Sequence, residues 1–295
     1  MCPANAERTK RLALEALEWA TDELAAADIP TAVGDAEIIV AHSLGLTRTQ
    51  VQAGAADRLV LDDAQDAIVV DFVERRKARE PLQHLTGKSY FRRLELAVGP
   101  GVFVPRRETE FVTQLAIDAL RTSDSTAPIA VDLGTGAGAI ALSMAVEVPA
   151  SFVYGVELYR DAFEWTRLNF ETIAPTNSQA ILGDMVDALP ELTGLVDVVA
   201  GNPPFTPDGV DPITPEVRLW DPPVAWRGGS DGLDLVRALS RTALRLLKAG
   251  GTLAFEHGVS QSERVAALLG ADDWTSINSH TDPRGRQRVT TAIHP

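Results

Sequence analysis

Cysteine is almost missing from this chain: Cys2 is the single one in 295 residues. Without a second thiol there is no internal disulfide, so nothing in the sequence demands an oxidising compartment. Histidine is scarce too. His42, His84, His257, His280 and His294 are scattered without the spacing of a ligand set, and no metal is expected. Long apolar runs are absent. The longest apolar region, around Ile129 to Val148, is broken by Asp132 and by glycines, which is unlike a membrane span. The opening MCPANAERTKRLALEALEWA turns charged at once and has no apolar core of the signal-peptide kind. A cytoplasmic location with no membrane partner is the expectation. Positive charge is in deficit, with 27 Lys and Arg against 41 Asp and Glu and a formal net charge of -14. Nucleic acid would be approached against that overall field, so it is not the expected partner. What is present is a globular composition, 45% hydrophobic and 23% charged, in a chain long enough for two domains.

From Arg8 to about Arg79 the pattern is helical. In RTKRLALEALEWATDELAAADI, Leu12, Ala16, Trp19 and Leu24 recur near the helical period, and DDAQDAIVVDFVERRKARE repeats the pattern after an acidic start. Pro30, Gly34, Gly45 and Gly54 are read as turns. Residues 1–80 therefore form an expected small helical bundle whose helices bury their apolar faces on one another. Residues 81–107 read as a β-hairpin linker, in which YFRRLELAV alternates like a strand and Gly99, Pro100 and Gly101 turn the chain before VFV. Residues 108–295 begin with a helix opened by Glu108, Thr109 and Glu110, and from Ile129 onward apolar strands alternate with amphipathic helices. That alternation predicts an α/β domain with a mostly parallel sheet covered by helices on both faces. Ligands of such a sheet bind beyond the carboxyl ends of its strands.

The first strand end carries VDLGTGAGAI, Val131 to Ile140. After Asp132 and Leu133, Gly134, Gly136 and Gly138 allow a sharp turn and close backbone approach before a helix. Two ligands compete for such a loop: a dinucleotide, whose pyrophosphate needs the helix N-terminus, and S-adenosylmethionine, whose amino-acid part and ribose lie along the loop. Glu157 closes the next strand, where an acid can accept both hydroxyls of a ribose. Asp184 follows the third strand and can accept from an exocyclic adenine amine, with Met185 or Val186 packing on the ring. Loop, acid and acid at three consecutive strand ends together outline an adenosine ligand.

The fourth strand end carries NPPF, Asn202 to Phe205. The Asn202 side-chain oxygen and the Pro203 carbonyl can accept the two hydrogens of one substrate NH2 group. Pro203 and Pro204 stiffen the backbone without adding a donor, and Phe205 offers a face to a planar amide or base. The chemistry indicated is methylation of a planar NH2 nitrogen.

VDLGTGAGAIAL, NPPF, PITPEVRLWDPPVAWRGGSDGLDL, RLLKAGGTLAFEHG and RGRQRV together resemble the HemK/PrmC family of protein-(glutamine-N5) methyltransferases. REPLQHLTGKSYFRRLELAVGPGVFVPRRETE resembles that family's linker, so the resemblance covers nearly the whole chain. It implies an S-adenosylmethionine-dependent methyltransferase (Rossmann-like) sheet, preceded by a helical substrate-recognition domain. It implies transfer of the sulfonium methyl to the glutamine of a Gly-Gly-Gln tip in a peptide chain release factor, with S-adenosylhomocysteine as product. Carried over by position, Asp132, Gly134, Thr135, Gly136, Ala137, Gly138, Glu157, Asp184, Met185 and Asn202 contact the cofactor. Asn202 and Pro203 are the catalytic pair, and Asn202, Pro203, Pro204 and Phe205 hold the substrate glutamine. The family usually has tyrosine where Phe205 stands and Pro-Arg-Pro where this chain has Pro105, Arg106 and Arg107. Three other readings stay open: an amino methyltransferase acting on adenine or cytosine in nucleic acid, which uses the same Asn-Pro-Pro-aromatic logic; a glutamine methyltransferase for a ribosomal protein; and a catalytically silent cofactor-binding scaffold. No basic stripe supports the first of these, and the intact loop, acids and Asn202 oppose the last. No catalytic histidine is assigned, His257 being read as structural.

Overall fold

A computed structural model describes residues 11–295. The readings that involve Cys2 and the helical stretch at Arg8 to Lys10 lie outside the described residues. Contacts divide the chain into two compact units, the first ending at Thr86 and the second running over Gly87–Pro295.

The first unit carries helices α1 (Ala13–Ala26), α2 (Ala32–Leu44), α3 (Arg48–Gln52), α4 (Asp63–Lys77) and α5 (Leu82–Thr86). Its core is a stripe of Ala13, Ala16, Ala20 and Leu24 on α1, packed with Ala36, Ile39 and Val40 of α2 and Val69 and Val73 of α4. Ala16 and Leu24 lie on this stripe as expected, whereas Leu12 and Trp19 do not. Leu12 precedes α1 and is exposed, and Trp19 is half-buried under the Arg11 guanidinium, 4.6 Å from its ring. Gly34 lies inside α2 and is not a turn, whereas Gly45 ends that helix at φ 66°. The acidic start of α4 is a capping box. Asp62 accepts from the Gln65 amide at 2.8 Å, and the Gln65 side chain accepts in return from the Asp62 amide.

The second unit opens with a two-stranded hairpin, β1 (Lys88–Phe91) and β2 (Leu94–Ala97). The hairpin turn lies within YFRRLELAV, at Arg92 with φ 51°, and Gly99 to Gly101 make the second turn expected before VFV, with Gly101 at φ 91° and the Val102 amide donating to the Gly99 carbonyl at 3.4 Å. A positive φ at arginine needs an anchor, because it lacks the freedom of glycine. The anchor is its guanidinium, which donates to both carboxylate oxygens of Glu147 at 2.6 and 2.9 Å and to Gln114 at 2.8 Å. Gly99 also serves close packing, since a Cβ there would run into the Trp165 ring. The VFV segment is not a strand, although Val102 and Val104 are buried.

Helix α6 (Thr109–Arg121) then leads into a seven-stranded sheet. In chain order follow β3 (Ile129–Leu133), α7 (Ala139–Glu147), β4 (Phe152–Glu157), α8 (Arg160–Ile173), β5 (Ser178–Leu182), β6 (Val196–Gly201), α9 (Pro215–Trp220), α10 (Asp234–Leu246), β7 (Leu247–Glu256), α11 (Ser262–Ala271), β8 (Thr275–Thr281) and β9 (Gln287–Ile293). The spatial order is β5-β4-β3-β6-β7-β9-β8, parallel except for β9, which runs antiparallel to both β7 and β8. One apolar core gathers the hairpin with α6, α7 and α8, and a second gathers α10 and α11 on the sheet. Chain order reverses between β3 and β6, so a ligand crevice opens at the carboxyl ends of those strands.

Candidate active site

Strand register brings the sequence-predicted residues to one edge. Leu133 pairs with Val156, Glu157 with Leu182 and Asp132 with Ala200, so β3, β4, β5 and β6 end side by side. Gly201 lets β6 finish close to β3, because a Cβ there would sit 2.9 Å from the Leu133 carbonyl. Asn202 is thereby delivered next to the glycine loop.

That loop is held by the Gly134 and Thr135 amides, which both donate to the Val156 carbonyl at 2.9 Å. Its glycines have different duties. Gly138, at φ 88°, is packed, and a Cβ there would meet Phe170 at 2.9 Å. Gly136, at φ 55°, has nothing within 4 Å of its Cβ position, and Gly134 has the Met185 methyl at 3.8 Å. The loop is thus braced on one side and open on the other, with Met185 at its rim. Ala137 is buried, and its carbonyl accepts from Asn169, whose amide also exchanges two hydrogen bonds with Ala97 of the hairpin at 2.8 and 2.9 Å.

Two buried acids flank the loop. Asp132 accepts from the Thr135 hydroxyl at 2.6 Å and the Ala141 amide at 3.2 Å, and its other oxygen has no protein partner. Glu157 accepts from the Gly136 amide at 3.0 Å and the Tyr159 amide at 2.9 Å. Burial pushes both carboxyls up, Asp132 to about 7. The loop amides that a pyrophosphate would need are already spent, those of Gly134 and Thr135 on Val156 and that of Gly136 on Glu157. Asp184 is exposed and accepts from the Val186 amide at 3.0 Å, which leaves its outer oxygen facing solvent beside Met185.

The raised Asp132 has a consequence for stability. The folded protein keeps a proton that the unfolded chain releases near pH ~4. Its contribution is therefore whole below that pH and is lost as pH rises through about 7. Urea unfolding from pH 4 to 8 checks this: the stability of wild type relative to Asp132→Asn falls as pH rises, and a flat difference would contradict it.

At the fourth strand end, Asn202 donates from Nδ2 to the Thr109 hydroxyl at 3.3 Å, while its Oδ1 is shielded from solvent with no partner. Thr109 donates in turn to Glu256 at 2.8 Å, and Arg288 closes on the other Glu256 oxygen at 2.6 Å. Among the described residues nothing donates to the Pro203 carbonyl. The Phe205 carbonyl accepts from Gln261 at 2.9 Å, and its half-buried ring borders Gly258. Arg106 donates to Asp221 at 2.7 Å; burial raises that acid to about 6, with Arg106 opposing the rise. His257 is buried, with Nδ1 on the Gly258 carbonyl at 3.0 Å and Nε2 on Thr290 at 2.9 Å, and burial lowers its pKa. Both ring nitrogens are engaged within the protein. Among the described residues no His, Cys, Asp or Glu group could hold a metal, and no helix is long and apolar enough to cross a membrane.

Sequence reasoning did not pick out Thr109, Glu256 or Arg288. The available signals were a second strand-end acid in FEHG and the arginine closing RGRQR, each unremarkable until the sheet sets them side by side.

A release factor glutamine methyltransferase of Streptomyces coelicolor is 46% identical over 283 residues, covering 95% of this chain and 98% of that one. The chain belongs to the release factor glutamine methyltransferase family. The family's enzyme from Bifidobacterium longum is 39% identical over 96% of this chain. At the same 39%, over 90% of each chain, stands a 4-amino-L-phenylalanine/4-methylamino-L-phenylalanine methyltransferase of Streptomyces pristinaespiralis. Residues 15–87 match the PrmC N-terminal domain and residues 93–218 the methyltransferase small domain. Among solved structures, the hMettl16 catalytic domain in complex with the MAT2A 3'UTR hairpin 6 aligns at TM-score 0.52 with 13% identity, over 67% of this chain and 75% of that one, a likeness of fold. The α/β sheet with its antiparallel β9 is the methyltransferase architecture expected for this family.

Proposed function

We propose that this chain methylates the side-chain amide nitrogen of a glutamine in a peptide chain release factor, with S-adenosylmethionine as donor. The observation that carries the reading is the lone Asn202 Oδ1, a buried acceptor with no protein partner at the rim of an acid-flanked glycine loop. A buried acceptor left unmade costs about 1–3 kcal/mol, so it is kept for a donor that arrives with substrate.

The residues present fit the cofactor. The open backbone at Gly134 and Gly136, on either side of buried Thr135 and ahead of packed Ala137 and Gly138, would receive its amino-acid part. Asp132 lies behind that loop, Glu157 takes the ribose, and Asp184 and Met185 bracket the adenine. S-adenosylmethionine supplies an electrophilic methyl group. Amide nitrogen is a poor nucleophile because its lone pair is delocalised into the carbonyl. Asn202 Oδ1 and the Pro203 carbonyl draw on its two hydrogens, favour a pyramidal nitrogen and aim its lone pair. Pro204 stiffens the turn and Phe205 lines the amide plane. No general base is needed before transfer, since the methylated nitrogen is acidic enough to lose its proton afterwards, and His257 is already committed to Gly258 and Thr290. The helical first unit is read as the part that recognises the substrate protein, and the cytoplasm, where release factors act, as the place of work.

The test uses purified protein and methyl-labelled S-adenosylmethionine. Label is expected in a release factor with its Gly-Gly-Gln tip intact and absent when that glutamine is alanine. DNA, RNA and free 4-amino-L-phenylalanine run in parallel, the last because a relative 39% identical is named for it. Equal labelling of the alanine variant, or label only in one of the parallel substrates, overturns the glutamine assignment.

A further inference from the structure

We propose that Thr109, polarised by the buried Glu256–Arg288 pair, is a positioning residue that sets which end of the Asn202 amide faces the substrate. The inference rests on the function proposed above and concerns the same site. An asparagine amide has two faces of nearly equal shape and opposite polarity. Turned one way it offers an acceptor to a substrate NH2; turned the other way it offers two donors and repels it. Nothing within Asn202 itself chooses between them.

The choice is made from behind. Arg288 is permanently cationic and donates to one oxygen of Glu256 at 2.6 Å. Burial pushes the Glu256 carboxyl up and the guanidinium against it opposes that rise, while the contacts divide its two oxygens, one to Arg288 and one to Thr109. The second Glu256 oxygen therefore takes the one hydroxyl proton of Thr109, at 2.8 Å. With that proton spent, the Thr109 oxygen can only accept, and the Asn202 group that meets it at 3.3 Å must be Nδ2. Oδ1 is left outward and unpartnered. Thr109, Glu256 and Arg288 are all buried, at 5%, 2% and 8% exposure, so water does not stand in for any of them. The threonine opens α6, the acid ends β7 and the arginine lies on β9. Three elements that do not line the glycine loop thus control the polarity of the catalytic amide.

Thr109→Val keeps the shape and removes the hydroxyl, and it is expected to lower kcat about tenfold or more with little change in the KM for release factor or in cofactor affinity. Thr109→Ser restores the hydroxyl and is expected to stay within about threefold of wild type. A loss common to both variants, or none in either, overturns the proposal. The decisive variant reverses the chain of donors. Asn202→Asp alone sets two acceptors, Asp and Thr109, against each other; adding Glu256→Gln lets the new amide donate to Thr109 and Thr109 donate to the aspartate. The double variant is expected to exceed Asn202→Asp in rate by at least about tenfold, a rescue that a purely structural role for Thr109 does not produce. Proton exchange of the Asn202 side-chain amide, followed by nitrogen-labelled NMR, reads the orientation without turnover. Thr109→Val is expected to speed it, and an unchanged rate overturns the inference even if wild type proves inactive on glutamine, which would instead sink the substrate assignment.

Discussion

Asn202→Ala lowers methyl transfer to release factor by about 10²–10³-fold while the fold survives, the scale seen when one preorganised active-site hydrogen bond is removed. The expectation follows from what the side chain does in the free protein. Its oxygen bonds to nothing, and its nitrogen makes one long contact with Thr109. Removing it costs the fold one hydrogen bond and relieves one orphaned acceptor, two changes that nearly offset each other. The reaction loses one of the two acceptors that distort the substrate nitrogen. Single-turnover transfer, calorimetric binding of S-adenosylhomocysteine and thermal melting separate these quantities. A variant that transfers at the wild-type rate removes Asn202 from the mechanism.

Glu157→Ala weakens binding of S-adenosylmethionine and S-adenosylhomocysteine about a hundredfold, since hydrogen bonds to a charged acceptor contribute about 1.5–3 kcal/mol each. In the free protein this carboxylate secures the backbone on both sides, at Gly136 and at Tyr159. It also bears a desolvation penalty that raises its pKa. Its removal frees the fold from that penalty while releasing two amides, so the melting temperature moves far less than the affinity. Titration calorimetry with each ligand is the check, and unchanged affinity for both would remove Glu157 from the ribose site.

The features that were legible before the structure are local ones. A strand that ends in an acid, a glycine turn and a helix are contiguous from Val131 to Ile140, and strand periodicity put Glu157, Asp184 and Asn202 at successive ends. What escaped is what the sheet assembles at long range. Thr109 meets Asn202 across 93 residues and Glu256 across 147, distances at which periodicity carries no signal. The hairpin turn escaped for another reason. Arg92 carries none of the residue preferences of a turn, and its side-chain clasp on Gln114 and on Glu147, 55 residues away, holds it at positive φ. In the first helix Ala16 and Leu24 lie on the inward stripe as read, while small Ala13 and Ala20, rather than the bulky Leu12 and Trp19, complete it.

Asn169 has implications for how such proteins can be recombined. Its amide joins Ala97 of the hairpin to Ala137 of the glycine loop, so the ribbon ahead of the sheet is tied into that loop. A chimera spliced at Glu108 would set this loop against a foreign hairpin and exchange Phe91, Leu96 and Val98 in its core. The seam along which a helical module could be exchanged between relatives lies at Thr86 and Gly87, and the hairpin travels with the catalyst.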